Sequence, residues 1–188
     1  QLVDAAGKLS QNRKGALIVV DLGSDLRPED FLYSGTKIEA QLSTDLLINL
    51  FATDTPLHDG AVLVKGNKII SAGVILPLSR QGISRYGTRH LAALGITERF
   101  DRCICIVVSE ETGTLSLANQ GKLERPITSS RLQELLINLV GNQNSLTTTK
   151  SSLNKTTSSQ KMNPNDIITD NINEKDSNKS ESLFNTKD

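Results

Sequence analysis

Hydrophobic positions recur in two rhythms along the first 140 residues, and both rhythms stop near Gly141. Leu2, Val3, Ala6 and Leu9 return at helical spacing and predict a short opening helix that breaks near Asn12. Gly15 to Val20 is an unbroken apolar run of strand length, as expected for a strand covered on both faces. Residues 22–35 carry Gly23, Pro28 and Gly35 and read as a loop that ends in a small extended segment. Ser43 is placed as the N-cap of a helix through Phe51 that turns Leu46, Leu47, Leu50 and Phe51 inward. Ala61–Val64 and Ile69–Ile75 flank Lys65-Gly66-Asn67-Lys68, a hairpin pattern. Another helix is expected from Thr88, with Gly95 as its C-cap. Cys103–Val108 is a second fully apolar strand. Thr114–Ala118 follows the turn Glu111-Thr112-Gly113 and leads into a further hairpin turn at Asn119–Lys122. Thr128 or Ser129 caps a last helix on which Leu132, Leu135, Leu136 and Leu139 form one stripe. This order of elements predicts an α/β fold, a mixed β-sheet flanked by helices.

Composition divides the chain. From Gly141 onward 24 of 48 residues are Ser, Thr or Asn, too few large apolar groups to offset an ordering cost of about 1–2 kcal/mol per residue. The expected organisation is therefore a domain over 1–140 and a disordered Asn/Ser/Thr/Lys-rich tail over 141–188. The chain holds 21 basic and 21 acidic side chains, 15 of each before residue 141 and six of each after it. Neither part carries the surplus that coats nucleic acid or an anionic membrane. With no Trp and only six Phe plus Tyr, there is also no aromatic platform for stacking bases. Cys103 and Cys105 fall on one face of a strand, where they cannot bridge each other, and read as inert core thiols of a reducing compartment. No apolar run approaches the ~18–20 residues of a membrane span. Because the first residue is Gln1 rather than Met, an anchor ahead of this chain is the expected route to a membrane, and the expected location is the cytoplasm or its membrane face.

Three polar clusters sit at the ends of apolar elements. In Thr53-Asp54-Thr55-Pro56-Leu57-His58-Asp59-Gly60-Ala61, Pro56 biases Thr55 to extended backbone and Gly60 permits close backbone approach. His58 and Asp59 then offer an imidazole and a carboxylate to a metal or a hydroxyl, against the plainer reading of an Asp-Gly turn. In Tyr86-Gly87-Thr88-Arg89-His90, a helix start combines free N–H groups, a hydroxyl and a guanidinium suited to phosphate, against a Thr N-cap with solvated charges. Ser109-Glu110-Glu111-Thr112-Gly113 places carboxylates at a strand end, fit for a divalent cation that also holds phosphates, or for an ordinary acidic turn. There is no Walker loop, no GxGxxG fingerprint, no zinc spacing and no nucleophile elbow.

Taken together, Leu57-His58-Asp59-Gly60-Ala61, Leu76-Pro77-Leu78-Ser79, Gly87-Thr88-Arg89-His90-Leu91-Ala92-Ala93-Leu94-Gly95-Ile96 and Val107-Val108-Ser109-Glu110-Glu111-Thr112-Gly113 resemble the diadenylate cyclase (DAC) family. Gly15–Val19 and Leu46–Phe51 are similar to its membrane-anchored class, and the likeness covers about residues 1–135. The resemblance implies a nucleotidyltransferase that joins two ATP into the second messenger cyclic di-AMP and releases two pyrophosphates, with a second copy of the domain facing the first. It implies Asp59 beside the attacking hydroxyl, with Gly60 and Ala61 in close backbone approach. It implies Thr88, Arg89 and Ser109 on phosphates, His90 supporting them, and Leu76 on adenine. His58 and Glu110 are implied as ligands of Mn²⁺ or Mg²⁺.

One position departs from the pattern: the family motif reads Arg-His-Arg, and here it reads Arg89-His90-Leu91. If the missing arginine gripped the triphosphate, a charge-assisted bond worth about 1.5–3 kcal/mol is lost, roughly ten- to hundredfold. A degenerate domain that binds ATP or cyclic di-AMP without catalysis is the alternative, and a metal phosphohydrolase using His58, Asp59 and Glu110 a third. Arg80, Arg85 and Arg99 are the candidate replacements. The loop Ser79–Tyr86 is also slightly short for the family.

Overall fold

The apolar run after Gly15 becomes β1 (Ala16–Asp21), all six residues buried, at the centre of a seven-stranded sheet. The computed structural model describes residues 1–81 and 85–153, and from 142 onward only the backbone. Before β1 runs α1 (Leu2–Gln11). After it come β2 (Thr36–Gln41), α2 (Thr44–Leu50), β3 (Ala61–Lys65), β4 (Lys68–Val74), α3 (Thr88–Arg99), β5 (Cys103–Val108), β6 (Leu115–Asn119), β7 (Lys122–Ile127) and α4 (Ser129–Leu153). The spatial order is β2-β4-β3-β1-β5-β6-β7. β1 pairs parallel with β3 and antiparallel with β5, so the sheet is mixed, as the pattern predicted.

Alternate residues of the central strands feed two cores. Ile18 and Val20 point with Ile104 and Ile106 into a core closed by Ala5, Ala6 and Leu9 of α1, Leu47 and Leu50 of α2, and Leu132 of α4. Leu17 and Val19 point with Cys105 and Val107 to the other side, where Ala92, Ala93 and Ile96 of α3 cover them. Strands buried on both faces must be apolar throughout, which is why β1 and β5 were plain in the sequence. Ser43 caps α2 by accepting from the Leu46 amide at 3.1 Å, and Thr128 does the same for Arg131 at the start of α4.

Four details differ from expectation. β2 is a full edge strand where only a short extended segment ending near residue 35 was expected; its alternation is short, with only Ile38 and Ala40 half-buried between exposed Lys37, Glu39 and Gln41. Gly87, not Thr88, is the N-cap of α3, and no side chain caps that helix. Gly95 does not end α3, which continues to Arg99. A Cβ at Gly95 would stand 2.1 Å from the Pro77 carbonyl oxygen, so the glycine lets the segment 77–79 lie directly on the helix. Finally, α4 extends past the expected boundary at 140. The tail from 154 and the loop positions 82–84 lie outside the described residues.

Candidate active site

Sheet register brings the three polar clusters together. Ile18 opposite Val62 and Ala16 opposite Val108 put the N-terminal ends of β1 and β3 beside the C-terminal end of β5. Ala61 opposite Val74 adds the C-terminal end of β4. The start of α3 lies over this same end of the sheet, and two adjoining cavities open there. One, about 450 Å³, is lined by His58, Asp59 and Gly60 together with the apolar Leu17, Val74, Leu76 and Ala92. The other, about 650 Å³, is lined by Arg85, Gly87, His90, Ser109, Glu111 and Arg125 among others. Thr88, Arg89 and Glu110 line both and form the wall between them.

Arg89 and Glu110 meet across that wall at 2.9 Å. Their pair rests on Gly15: a Cβ there would stand 2.7 Å from Arg89 Nη1 and 3.0 Å from Glu110 Cβ. On the opposite side of the apolar cavity, the turns after α2 hold His58. Its backbone N–H donates to the Thr55 carbonyl, and its Nδ1 lies within hydrogen-bond distance of the same oxygen. A carbonyl can only accept, so in the neutral ring Nδ1 carries the proton and Nε2 the lone pair that a cation could take. Gly60 has φ +112, and a Cβ there would stand 2.8 Å from the Gly73 carbonyl carbon, so this glycine serves the packing of β3 on β4. Ala61 is fully buried and lines neither cavity.

His90 is buried under α3 with Nε2 3.3 Å from the Ser116 hydroxyl. Burial and, secondarily, the Arg125 guanidinium hold its pKa below the ordinary histidine value. Its ring lies 6.3 Å from that of Tyr86. Ser109 is held by the β5–β6 turn, where its backbone N–H donates to the Thr114 carbonyl at 3.0 Å. Elsewhere, Cys103 and Cys105 are buried in the α3-side core, and burial pushes the Cys105 thiol well above its usual range, which suits inert core thiols. Among the described residues no cluster of three His, Cys, Asp or Glu could enclose a metal alone.

A sequence model described as the DisA bacterial checkpoint controller nucleotide-binding (DAC) domain matches residues 3–123. The chain belongs to the DAC family. This DAC domain is 47% identical over 131 residues to a diadenylate cyclase of Listeria monocytogenes, covering 69% of this chain and 47% of that protein. It is 42% identical over 137 residues to the cyclic di-AMP synthase CdaA of Bacillus subtilis, covering 72% and 49%. The chain thus spans about half the length of these curated relatives. In three dimensions it resembles the crystal structure of a double mutant of DacA from Staphylococcus aureus, with TM-score 0.67, 38% identity, and 74% of this chain and 92% of that one covered. A Bacillus cereus structure titled a hypothetical membrane spanning protein aligns at TM-score 0.62 and 43% identity, covering 68% and 62%. In the DAC domain itself, no described helix is long and apolar enough to cross a membrane.

Of the proposed replacements for the missing arginine, Arg85 alone lines either of these two cavities. Arg99 lies at the far end of α3, its guanidinium 5.6 Å from the Phe100 ring centroid. Leu91 is buried and lines neither cavity, its carbonyl accepting the Ser79 N–H at 2.9 Å. The sequence reading missed Gly15 and Arg125 at the site, and gave Tyr86 a place in the second cluster but no role. Gly15 was legible only as the start of a strand, and nothing in the local pattern around Arg125 marks it.

Proposed function

We propose that the DAC domain joins two ATP molecules into cyclic di-AMP, each of two facing copies holding one ATP. The observation that carries this reading is the shared wall of Thr88, Arg89 and Glu110 between an apolar and an arginine-lined cavity. An adenosine fits the apolar side, with adenine against Leu76 and Leu17. The triphosphate fits the polar side, on Thr88, Arg89, Ser109 and the free N–H groups of α3. The α-phosphate then lies at the shared wall, within reach of Asp59.

In each half-reaction the 3′-hydroxyl of one ATP attacks the α-phosphorus of the other. The P–O bond to the β-phosphate breaks, pyrophosphate leaves, and Asp59 accepts the hydroxyl proton. Two such steps close the ring and release two pyrophosphates. Most of the rate comes from positioning and charge compensation rather than covalent chemistry. His58 Nε2 and Glu110 are the residues we assign to hold Mn²⁺ or Mg²⁺. A cation held there would offset triphosphate charge and lower the pKa of the attacking hydroxyl.

The second copy is supported by an exposed apolar rim beside the adenosine cavity, formed by Leu32, Tyr33, Ile75 and Leu78. Leu32 and Tyr33 donate backbone N–H bonds to Ile75, and Ile75 and Leu78 line the cavity itself. With ATP as its substrate, the domain is expected to work in the cytoplasm. Residues 1–140 carry every side chain assigned to this chemistry.

Incubation of the purified protein with ATP and Mn²⁺ or Mg²⁺, followed by mass spectrometry, tests the reading. Cyclic di-AMP is expected, with a rate that rises as the square of protein concentration while copies are dilute. Asp59→Asn should lower that rate about 100-fold or more. A folded protein that binds ATP yet forms no cyclic dinucleotide would overturn it, leaving the non-catalytic binder. Release of AMP or ADP alone would identify a phosphohydrolase.

A further inference from the structure

The arginine-lined cavity holds a cation that belongs to none of the sequence motifs. α3 packs across β5, β6 and β7, so its first turn reaches the outer strand of the sheet, and Arg125 of β7 joins the cavity wall there. We propose that Arg125 binds the terminal phosphates of ATP, supplying from β7 a cationic contact that Leu91 does not supply from α3. The inference rests on the nucleotide reading above and extends it to this residue.

Charge compensation separates the arginines of the site. Arg89 is already paired with Glu110 at 2.9 Å, so its charge is largely answered before any ligand arrives. Among the described residues no carboxylate lies within ion-pair distance of Arg125. Its neighbour Glu124 is committed to Arg131 at 2.9 Å. The guanidinium carbon of Arg125 instead stands 5.6 Å from the centroid of the Tyr86 ring. A cation–π contact of this kind restrains the guanidinium while leaving N–H groups available to phosphate oxygens. The Tyr86 ring in turn lies 6.3 Å from that of His90, so Tyr86 sits between two side chains that line the cavity, Arg125 and His90. Thr88 and Ser109 line the same cavity with hydroxyl donors. A preorganised, uncompensated guanidinium facing a polar cavity suits a polyanion. The part of ATP farthest from the apolar adenosine side is its β- and γ-phosphates.

Isothermal titration of Arg125→Gln with four ligands decides the matter. ATP and inorganic pyrophosphate carry the phosphates in question, whereas AMP and cyclic di-AMP do not. Affinity for ATP and pyrophosphate should fall about tenfold or more, the range of a lost charge-assisted bond. Affinity for AMP and cyclic di-AMP should stay within twofold. Arg125→Lys should restore part of the loss, since it returns the charge without the fork. Tyr86→Leu should give a smaller loss with the same selectivity, and in turnover KM for ATP should rise more than kcat falls. Equal weakening of all four ligands would make Arg125 a structural support and overturn the assignment, as would unchanged ATP and pyrophosphate binding. If the wild type binds ATP but makes no cyclic dinucleotide, the cyclase reading fails while the Arg125 comparison still decides this one. A wild type that binds neither ATP nor pyrophosphate overturns both.

Discussion

Gly15 illustrates how a residue without a side chain shapes the chemistry of its neighbours. Its backbone is not in the left-handed region, so alanine is conformationally acceptable there. What alanine meets is the flexible end of Arg89, 2.7 Å away, and the Cβ of Glu110. The guanidinium can swing aside at little cost in stability, but it then leaves the wall between the cavities. We therefore expect Gly15→Ala to keep its thermal midpoint within a few degrees while ATP affinity drops several-fold, measured by titration beside thermal unfolding. A large fall in midpoint with unchanged ATP affinity would contradict this. At this scale the sequence was informative wherever residue type alone dictates chemistry. His58, Asp59, Thr88, Arg89, Ser109 and Glu110 stood out as candidates by residue type, each beside a plainer reading as turn or cap, and all line the paired cavities. Arg125 did not, because a lone basic residue on an exposed strand looks the same whether or not a helix start lies beside it.

Among the elements, α3 carries the most consequence. Its first turn lines both cavities, its middle covers the core, and a face running from Leu91 to Glu98 anchors the segment 77–79. Three contacts make that anchor: the Ser79 N–H to the Leu91 carbonyl at 2.9 Å, the Ser79 hydroxyl to Glu98 at 2.6 Å, and the close approach of Pro77 over Gly95. Alanine normally gains about 1 kcal/mol over glycine inside a helix. Here its Cβ would lie 2.1 Å from a backbone oxygen, and overpacking costs about 1–3 kcal/mol. Gly95→Ala should therefore lower the thermal midpoint despite its better helix propensity, and calorimetry would show it. A rise would mean that the segment 77–79 moves off freely. Reading Gly95 as a helix end followed from propensity alone, since sequence cannot display a backbone crossing from another segment. β2 escaped notice because its alternation is brief, Ile38 and Ala40 alone between polar residues, and its pairing with β4 carries a register shift between Lys37 and Ala40.

For the molecule as a whole, acid stability depends on the buried His90. Its pKa lies below the ordinary value of 6.5, first through burial and then through the Arg125 charge. In the unfolded chain the same imidazole takes a proton near its ordinary value, so acid favours unfolding. This residue contributes no pH dependence above that value. Stability is lost as pH falls from about 6.5 toward the folded pKa. Thermal midpoints at pH 7.5 and 5.5 should fall on acidification in the wild type and fall less in His90→Gln. Equal slopes in the two proteins would show that His90 is not the group responsible.

The sequence by itself determined the layered α/β architecture, because strands covered on both faces must be apolar and helices covered on one must be striped. It also determined the chemical inventory, since imidazole, carboxylate, hydroxyl and guanidinium groups are fixed by residue type. Only the tertiary structure decided which of these groups share a cavity. Parallel pairing of β1 with β3 and antiparallel pairing with β5 bring chain segments from residues 15, 60, 75 and 109 to one end of the sheet. The same sheet carries β7 outward to the start of α3, where Arg125 completes the wall. Register and packing are relations between distant segments, and local pattern, which reports only what each segment buries, does not encode them.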